Sequence, residues 1–208
     1  MSDFYYIDTC SLQWRYLSGA PTATVDALLD APDKTVFTAE LTLLEWSSTL
    51  GRTFRRKTIT KEDFKRNELA LMSDVVAEKL QVLPPLTRAV EKARYLIEYV
   101  GVDRGLSLGS GDALHLVHAI DAASHVAASV TVVTSNKAVA NIVNTVDLNL
   151  QLLHLPPTPP AVVTGKDYPS ILKGLGFKDP SGQSLENCKD FIDAMNELKQ
   201  LRHRVGIL

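Results

Sequence analysis

The stretch Val130-Thr131-Val132-Val133-Thr134-Ser135 restricts this chain's architecture most, because it is apolar or β-branched on both of its alternating faces. A strand written this way has no side to show to water, so it belongs inside a parallel sheet covered by helices on both faces. The rest of the pattern agrees. Residues 3 to 7 form a short aromatic and β-branched run broken at Asp8, Thr35 to Thr38 a second candidate strand, and Leu150 to Leu155 a last one. Helical spacing falls between them: Leu12 to Leu17, Ala23 to Leu29, a helix from Thr42, residues 60 to 80 opened by Thr60, and Thr87 to Val100 ending at Gly101. Two more follow, one begun around Gly109-Ser110-Gly111-Asp112 and one over Ala138 to Val146. Val82-Leu83 runs into Pro84-Pro85, a hard stop for any helix.

These elements predict an α/β domain with a central, mainly parallel sheet over residues 1–155. Pro156-Pro157-Thr158-Pro159-Pro160 is a stiff connector. Beyond it, Leu185, Cys188, Phe191, Ile192, Met195, Leu198 and Leu201 space out one amphipathic helix, so residues 156–208 read as a helical extension. That apolar stripe needs a cover, either this domain or a partner, a second copy included. With 208 residues and 45% of them apolar, the chain can bury one core plus such an appendage. The net charge of −2 gives no global attraction to nucleic acid, although a local basic patch can sit beside an acidic pocket. Cys10 and Cys188 are far apart and in no metal-ligand spacing, which fits a reducing compartment. No basic leader precedes an apolar run and no stretch reaches the ~18 apolar residues of a membrane span, so the expectation is a soluble cytoplasmic protein with no membrane contact.

The acids carry the chemistry. Asp8 and Asn136 stand at the carboxyl ends of two candidate strands, and Asp112 at the mouth of an apolar helix. Each has an ordinary account. An acid in a first helical turn is favoured by the helix dipole, and Thr42-x-x-Glu45 matches a capping box that would explain Glu45 by its own helix. Those accounts do not explain the convergence: in open parallel sheets the ligand crevice lies outside the carboxyl ends of the strands, where all four residues can meet. Three carboxylates and an amide at one mouth call for a cation, and oxygen-only ligands point to Mg²⁺ or Mn²⁺. Such an ion activates water and neutralises a phosphodiester's charge. His115, one turn beyond Asp112, fits a histidine packed against the sheet better than a general base. Arg52, Arg55, Arg56 and Lys57 form the most basic region, with Phe54 among them; they either hold nucleic-acid phosphates or form a solvated helix face.

In Tyr6-Ile7-Asp8-Thr9-Cys10, Leu41-Thr42-Leu43-Leu44-Glu45, Gln81-Val82-Leu83-Pro84-Pro85-Leu86, Gly111-Asp112-Ala113-Leu114-His115-Leu116 and Val133-Thr134-Ser135-Asn136-Lys137, the chain resembles the PIN-domain ribonucleases, and among them the VapC-type toxins of toxin–antitoxin modules. The resemblance covers roughly residues 3 to 155. It implies a Rossmann-like α/β/α sandwich in which Asp8, Glu45 and Asp112 bind Mg²⁺ or Mn²⁺ for RNA cleavage, with Thr9 and Ser135 bonding the carboxylates or a water. The family usually has a fourth acid where Asn136 stands. An amide offers one neutral oxygen, so one metal is the expected occupancy before substrate. A cognate antitoxin peptide lying across the site is the implied partner. Two other functions compete: an inactive PIN module that binds or scaffolds RNA, and a structure-specific DNA nuclease.

Overall fold

The computed structural model describes residues 3–17 and 19–155. The expected connector and amphipathic helix over 156–208 lie outside the described residues. Five strands, β1 (Asp3–Ile7), β2 (Lys34–Ala39), β3 (Gln81–Leu83), β4 (Val130–Thr134) and β5 (Leu150–His154), form one sheet in the order β3-β2-β1-β4-β5. Every adjacent pair is parallel, so the expected Rossmann-like α/β/α sandwich is the fold observed. The helices are α1 (Thr9–Tyr16), α2 (Thr22–Leu29), α3 (Glu40–Arg55), α4 (Lys61–Val76), α5 (Ala89–Glu98), α6 (Ser110–Val126) and α7 (Lys137–Thr145).

The three inner strands, β1, β2 and β4, bury residues on both faces for the reason their sequences give. In β1, Tyr6 enters a core with Phe37, Ala113, Leu116 and Val132, under α5, α6 and α7. Its neighbour Ile7 points the other way, into a core with Leu12, Trp14, Trp46 and Val133 under α1 to α4. Register carries this across the sheet, since Tyr6 pairs with Phe37 on one side and Val132 on the other. Successive residues of a central strand therefore feed separate cores.

Three expectations are corrected. β3 is a strand of three residues where only the approach to Pro84-Pro85 is visible in the sequence. The helix through Val100 does not end at Gly101, because α5 continues into a π-helical turn over Tyr99–Asp103 that contains it. The Thr42–Glu45 capping box does not exist: α3 begins at Glu40 with Ala39 as its cap, so both residues already lie inside the helix. The Thr42 hydroxyl is buried and accepts from Thr38, 2.7 Å away, tying β2 to α3. Thr60 does cap α4, in a reciprocal box with Asp63.

A second cluster of acids lies away from the strand ends. Arg15, buried in α1, reaches Asp74 of α4 at 3.0 Å, Asp30 at 2.8 Å and Asp26 of α2 at 3.1 Å. Tyr16 donates to Asp74 at 3.0 Å, and Lys79 meets Asp30 at 2.7 Å. Hydrogen bonding to the guanidinium, joined by Lys79, holds the Asp30 carboxyl well below its usual range.

Candidate active site

β1 and β4 are neighbours whose connections leave in opposite directions across the sheet, so a crevice opens beyond their carboxyl ends. Asp8 is the first residue after β1 and caps α1, its Oδ1 accepting from the Ser11 backbone N–H at 2.8 Å. Its Oδ2 accepts from the Thr134 hydroxyl at the end of β4, at 2.6 Å. Thr134 in turn accepts from the Asn136 backbone N–H at 2.9 Å, which locks the two strand ends together. Only 3% of Asp8 is exposed, so both its oxygens are used before any ligand arrives.

Glu45 comes from the second turn of α3. Its Oε2 accepts from the Thr9 hydroxyl and stands 2.9 Å from His115 Nε2. The His115 contact, aided by Thr9 and the charge of Arg52, holds this carboxyl below its ordinary value against the opposing effect of burial. A side chain at Gly111 would bring a Cβ within 3.1 Å of Glu45 Oε1, so the glycine lets α6 begin close against that acid.

Asp112 lies in the first turn of α6, with Oδ2 accepting from the Asn136 amide at 3.0 Å. Burial, and then the charges of Asp8 and Glu45, raise its pKa despite that hydrogen bond. The three carboxylates therefore share one electrostatic neighbourhood. Asn136 caps α7, its Oδ1 accepting from the Ala138 N–H at 2.9 Å. The oxygen expected to face a cation is thus engaged with the helix, and the amide turns to Asp112.

Thr9 meets a carboxylate as expected, whereas Ser135 sits behind the site, with Trp14 Nε1 at 3.2 Å and Ser11 Oγ at 3.3 Å from its hydroxyl. Thr134, one residue earlier, makes the bond to Asp8. Strand alternation was the signal that could have found it, since neighbouring residues face opposite sides of the sheet. His115 is packed against β1 as expected, with its Nδ1 also 2.8 Å from the Tyr6 hydroxyl. Arg52, Arg55, Arg56 and Lys57 are exposed around the carboxyl end of α3, and Phe54 among them is 43% exposed.

Among the described residues no three His, Cys, Asp or Glu side chains stand close enough together to hold an ion. The donor chemistry nevertheless fits a hard cation. No Lys or Arg among the described residues hydrogen-bonds Asp8, Glu45 or Asp112, and Glu45 Oε1 and Asp112 Oδ1 have no hydrogen-bond partner there. Carboxylate oxygens with no hydrogen-bonded Lys or Arg suit Mg²⁺ or Mn²⁺.

A fully parallel sheet with acidic residues where its strand order reverses defines a doubly wound α/β protein. Residues 5–144 match the PIN domain, and the chain belongs to that family, whose members are in general metal-dependent nucleases. A solved structure with the same fold is that of VapBC2 from Rickettsia felis bound to a DNA fragment from its promoter. That likeness has a TM-score of 0.50 at 18% identity, and covers 73% of this chain and 98% of the other. No curated protein sequence matches the chain. Among the described residues no helix is long and apolar enough to cross a membrane.

Proposed function

We propose that the chain is a Mg²⁺- or Mn²⁺-dependent endoribonuclease, the toxin half of a VapC-type toxin–antitoxin pair. The observation that carries this reading is that Asp8, Glu45 and Asp112 share one electrostatic neighbourhood at the strand-order reversal, with no Lys or Arg among the described residues hydrogen-bonded to them. Membership of the PIN family and the fold shared with VapBC2 support it.

Asp8, Glu45 and Asp112 would hold the divalent ion, which when bound would acidify a water and offset charge on the scissile phosphate. Everything else falls to the chain. Thr134 and Ser11 fix Asp8, Thr9 and His115 fix Glu45, and Asn136 fixes Asp112, so the acids are oriented before RNA binds. Arg52, Arg55, Arg56 and Lys57 hold backbone phosphates as the strand enters along α3, with Phe54 available to stack on a base. An antitoxin peptide lying across the crevice would shut it, with Leu44, 70% exposed and next to Glu45 in sequence, giving that peptide an apolar contact.

The test is cleavage of structured RNA and of matched DNA by the purified full chain with Mg²⁺ or Mn²⁺. Cleavage of RNA, with a loss of more than about 100-fold in Asp8→Asn, supports the reading, because a ligand should matter more than the outer partners whose removal costs 10–100-fold. Cleavage of DNA in preference to RNA would reassign the substrate. No cleavage with either ion would sink the nuclease. A second reading, an RNA-binding PIN module with a weakened site, is favoured by the Asn136 amide, which adds no charge and turns its N–H to Asp112. Calorimetry with Mn²⁺ separates the two, since a weakened site gives no binding heat that Asp112→Asn removes.

A further inference from the structure

Two buried side chains stand behind Glu45 and do no packing work that an apolar residue could not do better. Tyr6 is fully buried in β1, and His115 is 6% exposed in α6. Their polar atoms meet at 2.8 Å, between Tyr6 Oη and His115 Nδ1, although 109 residues separate them. The far nitrogen of the same ring, Nε2, is 2.9 Å from Glu45 Oε2. Burying a hydroxyl and an imidazole in an aliphatic core costs stability unless both are fully bonded, so the pair has to be explained.

The proton positions follow by elimination. An ionised carboxylate only accepts, so the bond to Glu45 requires a proton on His115 Nε2. In a neutral imidazole Nδ1 is then bare, and the Tyr6 hydroxyl must donate to it. With a neutral imidazole, donors therefore run one way, from Tyr6 to His115 and from His115 to Glu45. With Thr9 also donating to Oε2, that oxygen is held from two sides and Oε1 is left facing Gly111.

We infer that Tyr6 and His115 are positioning residues that fix the imidazole in its Nε2–H form, clamp Glu45 by one oxygen and present the other to a divalent cation. The inference rests on the metal-site reading of Glu45 proposed above. His115 acts here through Glu45 and touches neither water nor phosphate, which distinguishes it from a general base. A tautomer set by the partner of the opposite ring nitrogen is the usual way in which a histidine's orientation is fixed.

The experiment uses the full chain without metal, then titrated with Mn²⁺. Two-bond ¹H–¹⁵N correlation spectra read the tautomer of each of the five histidines, and His115→Gln identifies the His115 signals by their loss. The parent is expected to show the Nε2–H pattern at His115, and Tyr6→Phe a mixture of both tautomers. In calorimetry, His115→Leu should lose about tenfold in Mn²⁺ affinity, whereas His115→Gln, whose amide can accept from Tyr6 and donate to Glu45, should recover most of it. Tyr6→Phe removes a single oxygen and should fall between them. An Nδ1–H pattern in the parent overturns the inference whatever the metal does. So does equal Mn²⁺ affinity in the parent, the Leu variant and the Gln variant. A parent that shows the Nε2–H pattern, loses it in Tyr6→Phe and binds no Mn²⁺ supports the lock and overturns the metal-site reading.

Discussion

Two clusters in this protein gather three carboxylates each, and they resolve the same electrostatic problem in opposite ways. Asp26, Asp30 and Asp74 surround Arg15, with Lys79 on Asp30, so that cluster carries cations of its own inside the fold. Asp8, Glu45 and Asp112 are bonded by hydroxyls, an amide, a backbone N–H and an imidazole, but by no Lys or Arg among the described residues. The consequence is visible in two acids: Asp30 is held below the usual carboxylate range by its cationic partners, and Asp112 is raised by burial and by its acidic neighbours. A cluster with its own cation is a structural device. On the reading proposed above, a cluster without a bonded one is prepared for a cation that arrives from solution.

The largest test breaks the structural cluster. Arg15→Met removes the shared partner of three aspartates and should destabilise the fold by about 3–5 kcal/mol, because it leaves buried charge uncompensated. Urea titration would measure the change, and a loss under about 1 kcal/mol would mean that the cluster is no better than a surface ion pair. Next comes Asn136→Asp, which places a fourth carboxylate in the open cluster while keeping a side chain able to cap α7. Mn²⁺ affinity should rise about tenfold, since ligand charge tunes such sites; unchanged affinity by calorimetry would place residue 136 outside the ligand set.

A smaller effect with opposite signs sharpens the contrast further. Asp112→Asn removes one of three repelling charges and should stabilise the metal-free protein by about 1 kcal/mol, a common gain when an active-site compromise is relieved. Asp74→Asn should destabilise it, so thermal melts of the two variants must shift in opposite directions. The smallest effect is in acid. A carboxyl with a depressed folded-state pKa contributes stability that is present above the ordinary aspartate value and is lost as the pH falls through and below about 4. The half-exposed Asp30 should contribute no more than about 1 kcal/mol of this after solvent screening. Asp30→Asn should therefore flatten the acid limb of a stability–pH profile and leave its alkaline side alone.

The parts legible in the sequence were those fixed by local pattern. The doubly apolar Val130–Thr134 run could only be an interior strand, and the breaks after Ile7 and before Lys137 marked the ends where Asp8 and Asn136 stand. The glycines before Asp112 marked the mouth of α6. What stayed hidden depends on distant partners. β3 is too short to show a period, and it exists because Ala39 pairs with Leu83. Thr42 has the composition of a cap, yet a buried bond to Thr38 outweighs that preference, so α3 starts earlier and Glu45 is freed from capping. Ser135 and Thr134 are a single residue apart, and the pleat decides which of them meets Asp8. The Tyr6–His115 contact had no local signal at all.

The strand order has a further consequence, in time rather than in space. β1 sits in the middle of the sheet, but its partner β4 is translated roughly 120 residues later, about ten seconds at ordinary rates of synthesis. Until then one edge of β1 has no neighbour, and Asp8 lacks the Thr134 hydroxyl that fixes it. A nascent chain that has completed β1 to β3 already carries Asp8 and Glu45 but lacks Asp112, so it exposes a strand edge and holds an incomplete set of acids. The charge cluster at the crevice is assembled only when β4 joins the sheet, so the site proposed above is completed late in synthesis.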